Sequence, residues 1–156
     1  MSWVFYAFLA ALSAAVVGVL SKIGIAGMDA TVATTIRGLS IAVFMGGAAL
    51  LLGRFEGLTA TAPKTIAFIV LTGIFGGLSW LWGFLALKAG GEATAVNAID
   101  RLSLIFLLVL AVFFLGEEFT WMKFGGVLLI IGGILLVTLK PEQWIGIARW
   151  WNQLIA

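Results

Sequence analysis

The sequence predicts an all-α membrane protein with five transmembrane helices and a C-terminal interfacial amphipathic helix. Of the 156 residues, 63% are hydrophobic and only 10% are charged, and the mean hydropathy is +1.20. A soluble domain carries roughly 25% charged residues, so this chain has too few polar side chains to cover a water-exposed surface. Its five apolar stretches are each close to the roughly 20 residues with which a helix crosses the hydrocarbon.

Cysteine and histidine are both absent from the sequence. Disulfide and thiol chemistry are therefore excluded, together with two common metal ligands, and we expect neither a metal site nor a cofactor. The net charge of +2 is too small and too dispersed to favour a nucleic-acid partner. Because no phosphate-binding loop or catalytic dyad is found, we expect a protein that is not an enzyme and whose main partner is the lipid bilayer.

Turn and cap residues divide residues 1–140 into the five predicted segments of a transmembrane domain. Asp29 is suited to cap the second helix, and Pro63 suits the first turn of the third. The short linker KAGGE predicts that the third and fourth segments form an antiparallel hairpin. The predicted segments run from about Trp3 to Gly24, Ala30 to Gly53, Pro63 to Leu87, Ala93 to Leu115 and Trp121 to Leu139.

Residues 141–156 form a different kind of segment, a tail with amphipathic spacing. Apolar residues recur at helical intervals, and the polar residues fall largely elsewhere on the wheel. The apolar set is Trp144, Ile147, Ala148, Trp151, Leu154 and Ile155, and the polar set is Gln143, Arg149, Asn152 and Gln153. This pattern predicts a helix lying in the membrane interface, because a sixth membrane segment here would be too short and too polar.

Basic residues are divided almost evenly between the two sides of the predicted bundle. The side of the N-terminus receives Arg54, Lys64 and Lys123, and the other side receives Lys22, Lys88, Lys140 and Arg149. Since the Lys/Arg bias normally sets orientation, a count of three against four predicts dual topology, in which copies insert both ways. A single orientation set by weaker signals is the alternative.

Three charged residues fall well inside predicted spans. Arg37 lies about 10 Å into the second segment, and Asp100 and Arg101 lie at a similar depth in the fourth, with Trp80 of the third near the same level. Each such charge costs on the order of 2.5–3.5 kcal/mol, so we expect Asp100 to pair with Arg37 across helices. The pair either marks a substrate pathway or is a purely structural ion pair.

Polar residues flank these charges at three-residue spacing, which places each set on one helix face. Two arginines against one aspartate leave one positive charge, which favours an anionic small-molecule substrate. Lys22, near one mouth of the bundle, is a candidate for attracting such anions. The predicted substrate path comprises Lys22, Arg37, Trp80, Asn97, Asp100, Arg101 and Ser103.

Small residues predict close helix contacts. Gly73 and Gly77 lie four apart in the third segment, and two glycine pairs lie seven apart in the fifth. Such spacing lets helix backbones approach one another, within one chain or between chains. The dimer-packing candidates are Gly125, Gly126, Gly132 and Gly133.

Several stretches, in order, resemble one known family. GLSWLWGFLALKAGGEATAV, AIDRLSLIFLLVLAVFFLGEEFTW and GGVLLIIGGILL are similar to the EamA-like domain of the drug/metabolite transporter superfamily. The IDRLS run followed by FLGEEFTW, and the earlier SKIGIAGMDATVATTIR, resemble its five-helix bacterial/archaeal transporter group. Leu104 stands where many relatives have proline, and Ala14 and Ala15 stand where many have Trp-Gly, so no relative's substrate can be transferred to this chain.

The resemblance implies a transporter half-unit in a bacterial or archaeal cytoplasmic membrane, crossing it several times. Because five spans are an odd number, a second unit must be inverted relative to the first, which implies an antiparallel homodimer. The expected function is alternating-access transport or export of small metabolites. Two alternatives are a flippase for an anionic lipid or lipid carrier, and a non-transporting structural or accessory subunit.

Overall fold

The computed structural model describes residues 2–58, 61–139 and 141–154, and these residues form helices joined by short turns. Seven helices lie in the described ranges. They are α1 (Trp3–Gly24), α2 (Ala30–Leu51), α3 (Pro63–Lys88), α4 (Ala93–Asp100), α5 (Ser103–Leu115), α6 (Trp121–Thr138) and α7 (Pro141–Leu154). Among the described residues, five spans are long and apolar enough to cross a membrane, the fourth being α4 and α5 together. The prediction of an all-α fold with five transmembrane spans is confirmed.

Local sequence signals account for several helix ends. The Asp29 carboxylate accepts hydrogen bonds from the backbone N–H groups of Thr31 and Val32, as predicted for the cap of α2. Pro63 occupies the first turn of α3. Gly116 ends α5 in the left-handed conformation, with φ of 67°, which glycine adopts without a steric penalty. The Thr120 hydroxyl then caps α6 by accepting from the Lys123 N–H.

The chain divides into two compact units, residues 1–92 and residues 93–156. In the first unit, α3 packs against both α1 and α2. Its buried apolar residues include Ile25, Ala30, Ala33, Phe84 and Leu87. Most other apolar side chains are exposed, as expected for helices whose outer faces contact lipid.

In the second unit, α4 packs against α6, and the buried residues include Ala111 and Ile134. Phe119, Trp121 and Phe124 form an aromatic cluster at the start of α6, with ring centroids 5.6–6.1 Å apart. Aromatic side chains of this kind are enriched where a span meets the headgroups. The cluster therefore suits the boundary end of α6.

The fourth span differs from the continuous helix predicted over Ala93–Leu115. It is interrupted at Arg101 and Leu102, whose backbone N–H groups donate to the carbonyls of Ala98 and Ile99, three residues earlier. Leu104 and Ile105 continue the same three-residue pattern. These bonds define a short 3₁₀-like turn, a feature that often marks a hinge when it falls inside a span. Hydropathy does not reveal it, because the apolar pattern runs on through the break.

The tail is helical from Pro141 to Leu154, so Pro141 begins α7 as well as following α6. Trp144, Trp150 and Trp151 are exposed on α7. Of the residues assigned to its two faces, Ile155 lies outside the described residues, as do the side chains of Ile147, Ala148, Asn152 and Leu154. Lys140, counted among the loop charges, also lies outside them. The interfacial position of α7 stays a prediction.

Candidate functional site

A cation–π contact between Arg37 and Trp80 lies within the membrane-spanning part of the first unit. The guanidinium carbon of Arg37, on α2, lies 4.3 Å from the ring centroid of Trp80, on α3. Both side chains are half-buried. The indole face stabilises the positive charge electrostatically. The two residues predicted to lie at one level are therefore in direct contact.

An apolar groove of about 320 Å³ runs between α1 and α2 and includes Arg37 in its lining. From α1 it is lined by residues 17, 20, 21 and 24, and from α2 by residues 33, 36 and 37. These spacings put each set on a single helix face. Phe84 of α3, a buried side chain, also lines the groove. Arg37 is the charged residue of a lining that is otherwise almost entirely apolar.

The groove has an outer and an inner end. Gly24, the last residue of α1, and Met28, in the turn after it, line the outer end. Val17 and Arg37 each lie seven residues from the adjacent helix ends, which corresponds to about 10 Å along the helix. Arg37 therefore lies at the inner end of the groove, with apolar side chains between it and the membrane boundary, and its guanidinium stacks on Trp80 of α3.

Lys22 forms a link between helices. Its ammonium donates hydrogen bonds to the carbonyl oxygens of Gly91, at 2.6 Å, and Leu87, at 3.3 Å. The Leu87 carbonyl belongs to the last turn of α3 and the Gly91 carbonyl to the turn that follows, at the end of the helix where the dipole also favours a cation. The predicted role of Lys22 in attracting anions must compete with these bonds, and Lys22 is not among the residues that line the groove.

Asp29 and Lys88 lie at the same end of the first unit. The backbone N–H groups of Thr31 and Val32 stabilise the carboxylate, so the pKa of Asp29 is below its ordinary value of 3.8, with a smaller contribution from Lys88. The Lys88 ammonium lies 4.0 Å from the carboxylate, and both side chains are at least half exposed. An exposed pair of this kind contributes little to stability.

The remaining predicted path residues lie at or near the break in the fourth span. The Asn97 side-chain amide donates to the Ala93 carbonyl at 2.8 Å, so it is satisfied within α4. Asp100, Arg101 and Ser103 are exposed. Among the described residues of its own unit, neither Asp100 nor Arg101 has an ion-pair partner. Two adjacent opposite charges therefore lie at the point where the helix is interrupted.

The structure thus brings Arg37 and Trp80 together and groups Asn97, Asp100, Arg101 and Ser103 around one turn. The Arg37–Asp100 pair would join the two units and stays a prediction. The sequence reasoning missed the groove and its buried residue Phe84. The i, i+3, i+4, i+7 run of Val17, Leu20, Ser21 and Gly24 was visible in the sequence, but it reads equally well as ordinary packing.

The glycines of α6 have open space around them. A methyl group added at Gly125, Gly126, Gly132 or Gly133 would meet no atom of its own unit within 4 Å in the described residues. Packing within that unit therefore does not require these positions to be small. The same holds for Gly73 and Gly77 of α3 within the first unit.

Comparison with known proteins agrees with this architecture. The model of the EamA-like transporter family matches residues 1–139, which leaves α7 outside the matched region. A Sinorhizobium sp. protein named as an uncharacterized transporter in the cobO 3' region is 35% identical over 136 residues, which cover 87% of this chain and 96% of that relative. No solved structure matches the chain. The matched range contains all five spans, and the chain is a multi-pass membrane protein that belongs to the EamA-like transporter family.

Proposed function

We propose that this protein is a secondary transporter of small anionic metabolites that works by alternating access as an antiparallel, dual-topology homodimer. The observation that carries the proposal is the position of Arg37, a half-buried cation at the inner end of an apolar groove within the spans. Residues 1–140 form the transport domain of the proposed machine in a bacterial or archaeal cytoplasmic membrane. Residues 141–156 form an interfacial tail.

The cost of placing Arg37 in a span supports a role in binding. A charged side chain near the centre of a span costs on the order of 2.5–3.5 kcal/mol. Trp80 offsets part of that cost, since cation–π contacts contribute about 0.5–2 kcal/mol. No carboxylate in the described part of the first unit pairs with Arg37. An anionic substrate would supply the missing countercharge.

Three observations support the antiparallel dimer. The described residues contain five spans, so an inverted partner is needed to complete a two-fold arrangement in the membrane plane. The basic residues show almost no bias between sides, which permits insertion both ways. The glycine faces of α6 are unoccupied within their own unit, and small residues at such spacing suit helix–helix contact.

The break in the fourth span supports alternating access. Transporters of this kind place binding residues at discontinuous helices, where one half can move relative to the other. Asp100 and Arg101 lie beside this break and have no ion-pair partner in the described part of their unit. In the proposed cycle the Asp100 charge is satisfied by Arg37 or by the second copy, and the Arg101 charge by the anionic substrate or by the second copy.

Transport by purified protein in liposomes tests the proposal. Currents are recorded on solid-supported membranes after concentration jumps of a panel of small organic anions. Arg37→Ala and Asp100→Asn should each abolish the current, while Arg54→Ala, which removes an exposed arginine after α2, should leave it unchanged. Size-exclusion chromatography checks that each variant remains a folded dimer. Full transport by both site variants would contradict the assigned site.

The same preparation separates the two alternative functions. A flippase would move a fluorescent anionic lipid between leaflets in an Arg37-dependent manner and show no current with soluble anions. A structural subunit would show neither activity in any lipid composition. Either result would replace the metabolite transporter proposed above.

A further inference from the structure

We propose that the groove between α1 and α2 binds compact hydrophobic monocarboxylates, with the carboxylate at Arg37 and the apolar body extending toward Gly24 and Met28. This inference rests on the transport function proposed above and gives it a substrate class. Three properties of the groove support it: the single cation in its lining, its volume, and the order of apolar and charged residues from its outer to its inner end.

The charge selects a monoanion. Arg37 is the cation in the groove lining, and the nearby Lys22 ammonium is held by the carbonyls of Leu87 and Gly91. A phosphate dianion would need a second donor that the lining does not offer. The planar guanidinium binds a carboxylate through two parallel hydrogen bonds. Because Trp80 covers one face of the guanidinium, the edge is the part left to meet the ligand.

The size limits the ligand to a small body. The groove volume of about 320 Å³ lies at the lower end of the roughly 300–1,000 Å³ range of small-molecule sites. Val17, Leu20, Ile36 and Phe84 contribute apolar surface along its length. Ser21 is the uncharged polar side chain in the lining. A phenyl ring or a short branched alkyl group fits this lining better than a sugar or a nucleotide, whose hydroxyls would be left without partners.

The order of charged and apolar residues from the membrane boundary inward argues against a membrane lipid as the ligand. A lipid at rest places its charged headgroup at the boundary and its tails near the midplane. In this groove the order is reversed, because Arg37 lies about 10 Å inside the helix ends and the outer end is formed by Gly24 and Met28. The arrangement therefore suits a free amphiphilic anion that enters with its carboxylate leading.

Binding to the full-length protein in detergent tests the inference, with thermal unfolding as the readout. The probes are phenylacetate, the matched uncharged phenylacetamide, and acetate, which has the charge without the apolar body. A ligand that binds the native state raises the apparent stability by mass action. We expect phenylacetate to bind with a dissociation constant at least about tenfold lower than either of the other probes. Equal binding of phenylacetate and phenylacetamide would overturn the inference.

Two variants locate the binding. Arg37→Gln should abolish the preference for phenylacetate over phenylacetamide, whereas Arg54→Gln should keep it. Gly24→Leu provides a second test if Arg37→Gln fails to fold, because a Cβ atom added at Gly24 meets no described atom within 4 Å and the backbone there is not strained. The added leucine occupies the outer end of the groove and should weaken phenylacetate binding by about tenfold or more. Unchanged binding by Gly24→Leu would overturn the placement of the ligand body.

A competition arm separates a free carboxylate from a lipid. Phosphatidylglycerol added in mixed micelles should not displace phenylacetate, and displacement would overturn the assignment to a free anion. Current measurements on the same protein test the transport function separately from the binding of phenylacetate. Anion currents without selective phenylacetate binding would refute the substrate class alone. Selective, Arg37-dependent binding without any current would refute transport and leave the binding site standing.

Discussion

The ammonium nitrogen of Lys22 lies 2.6 Å from the carbonyl oxygen of Gly91, which ties the last turn of α1 to the turn after α3. A second bond, to the carbonyl of Leu87, uses another of its protons. Leu87 lies in the last turn of α3, where carbonyls have no partner within the helix, and Gly91 lies in the turn that follows. A lysine near the membrane boundary here joins two spans that are distant in sequence.

Replacing Lys22 should therefore lower the stability of the protein. Hydrogen bonds from charged donors contribute about 1.5–3 kcal/mol. The two bonds share one part-buried ammonium and one of them is long, at 3.3 Å, so we expect Lys22→Met to reduce the free energy of unfolding by about 2 kcal/mol. Urea titration in detergent micelles measures the change. Lys88→Met is the matched control and should cost less than about 1 kcal/mol, because its 4.0 Å pair with Asp29 is exposed. Equal losses would show that the Lys22 bonds do not stabilise the unit.

Replacing Trp80 should weaken anion binding without unfolding the protein. The indole holds the Arg37 guanidinium in place, and this cation–π contact is worth about 0.5–2 kcal/mol. Trp80→Leu should therefore raise the dissociation constant for phenylacetate, and Trp80→Phe should lie between the wild type and the leucine variant. Trp82→Leu serves as the control, since that side chain is 64% exposed. An equal loss of phenylacetate binding in Trp80→Leu and Trp82→Leu would reflect general disruption of α3.

Acid should destabilise the start of α2 through Asp29. Because its folded-state pKa is lowered below 3.8, the ionised carboxylate contributes stability above that value and loses it as the pH falls through the folded pKa. Thermal unfolding followed from about pH 5 down to about pH 2 should show this loss. Asn caps helices as well as Asp does, so Asp29→Asn should have the wild-type stability at neutral pH. As the pH falls, this variant should lose less stability than the wild type. Lys88→Met should show most of the wild-type loss of stability at low pH, because the backbone hydrogen bonds are the larger cause of the lowered Asp29 pKa.

The glycine face of α6 should tolerate large side chains in the monomer but not in the dimer. A Cβ atom added at Gly126 or Gly133 meets no described atom of its own unit within 4 Å, so we expect the leucine variants to retain their helix content. If these glycines form the contact between copies, dimer dissociation should be favoured by about tenfold or more, as measured by single-molecule photobleaching in liposomes. Gly47→Leu on α2 is equally free of contacts in its own unit and should leave the dimer intact. Unchanged dimerisation in the α6 variants would place the interface elsewhere.

The balance between the two orientations should respond to a small number of added charges. Reporters fused to the C-terminus should give signals from both compartments in the wild type, because the basic residues are nearly balanced between sides. Glu56→Lys and Leu58→Lys together add positive charge to the loop between α2 and α3 and should shift most copies to one orientation. The same two substitutions to Gln should shift the balance much less. A wild type found in one orientation would end the antiparallel model.

Features set by neighbouring residues were predictable from the sequence, and features set by distant ones were not. Asp29, Pro63 and Gly116 mark helix ends through their own side chains or backbone preferences, and the structure has helix ends there. The link from Lys22 to Gly91 depends on how closely α1 approaches the end of α3, which no local pattern encodes. The groove likewise depends on which faces of α1 and α2 meet.

The residues of the candidate site were easier to predict from the sequence than the local backbone structure around them. The depth of a charge follows from counting residues along a helix, and this count placed Arg37 and Trp80 at the level where they are in contact. The interruption at Arg101 escaped prediction because Leu102 and Leu104 continue the apolar run on either side of the charges. The change from four-residue to three-residue hydrogen bonding leaves no trace in hydropathy.

The interruption also divides the fourth span into two rigid helices, α4 and α5, joined by a turn. The thirteen residues of α5 form a rod of about 20 Å, so a rotation of about 10° at the turn carries its far end through roughly 3.5 Å. The shorter part, α4, packs against α6, which anchors that end of the span. A displacement of that size approaches the width of a water molecule or a methyl group. A small torsional change beside Asp100 and Arg101 would thus be enough to move the far end of α5 by several ångströms.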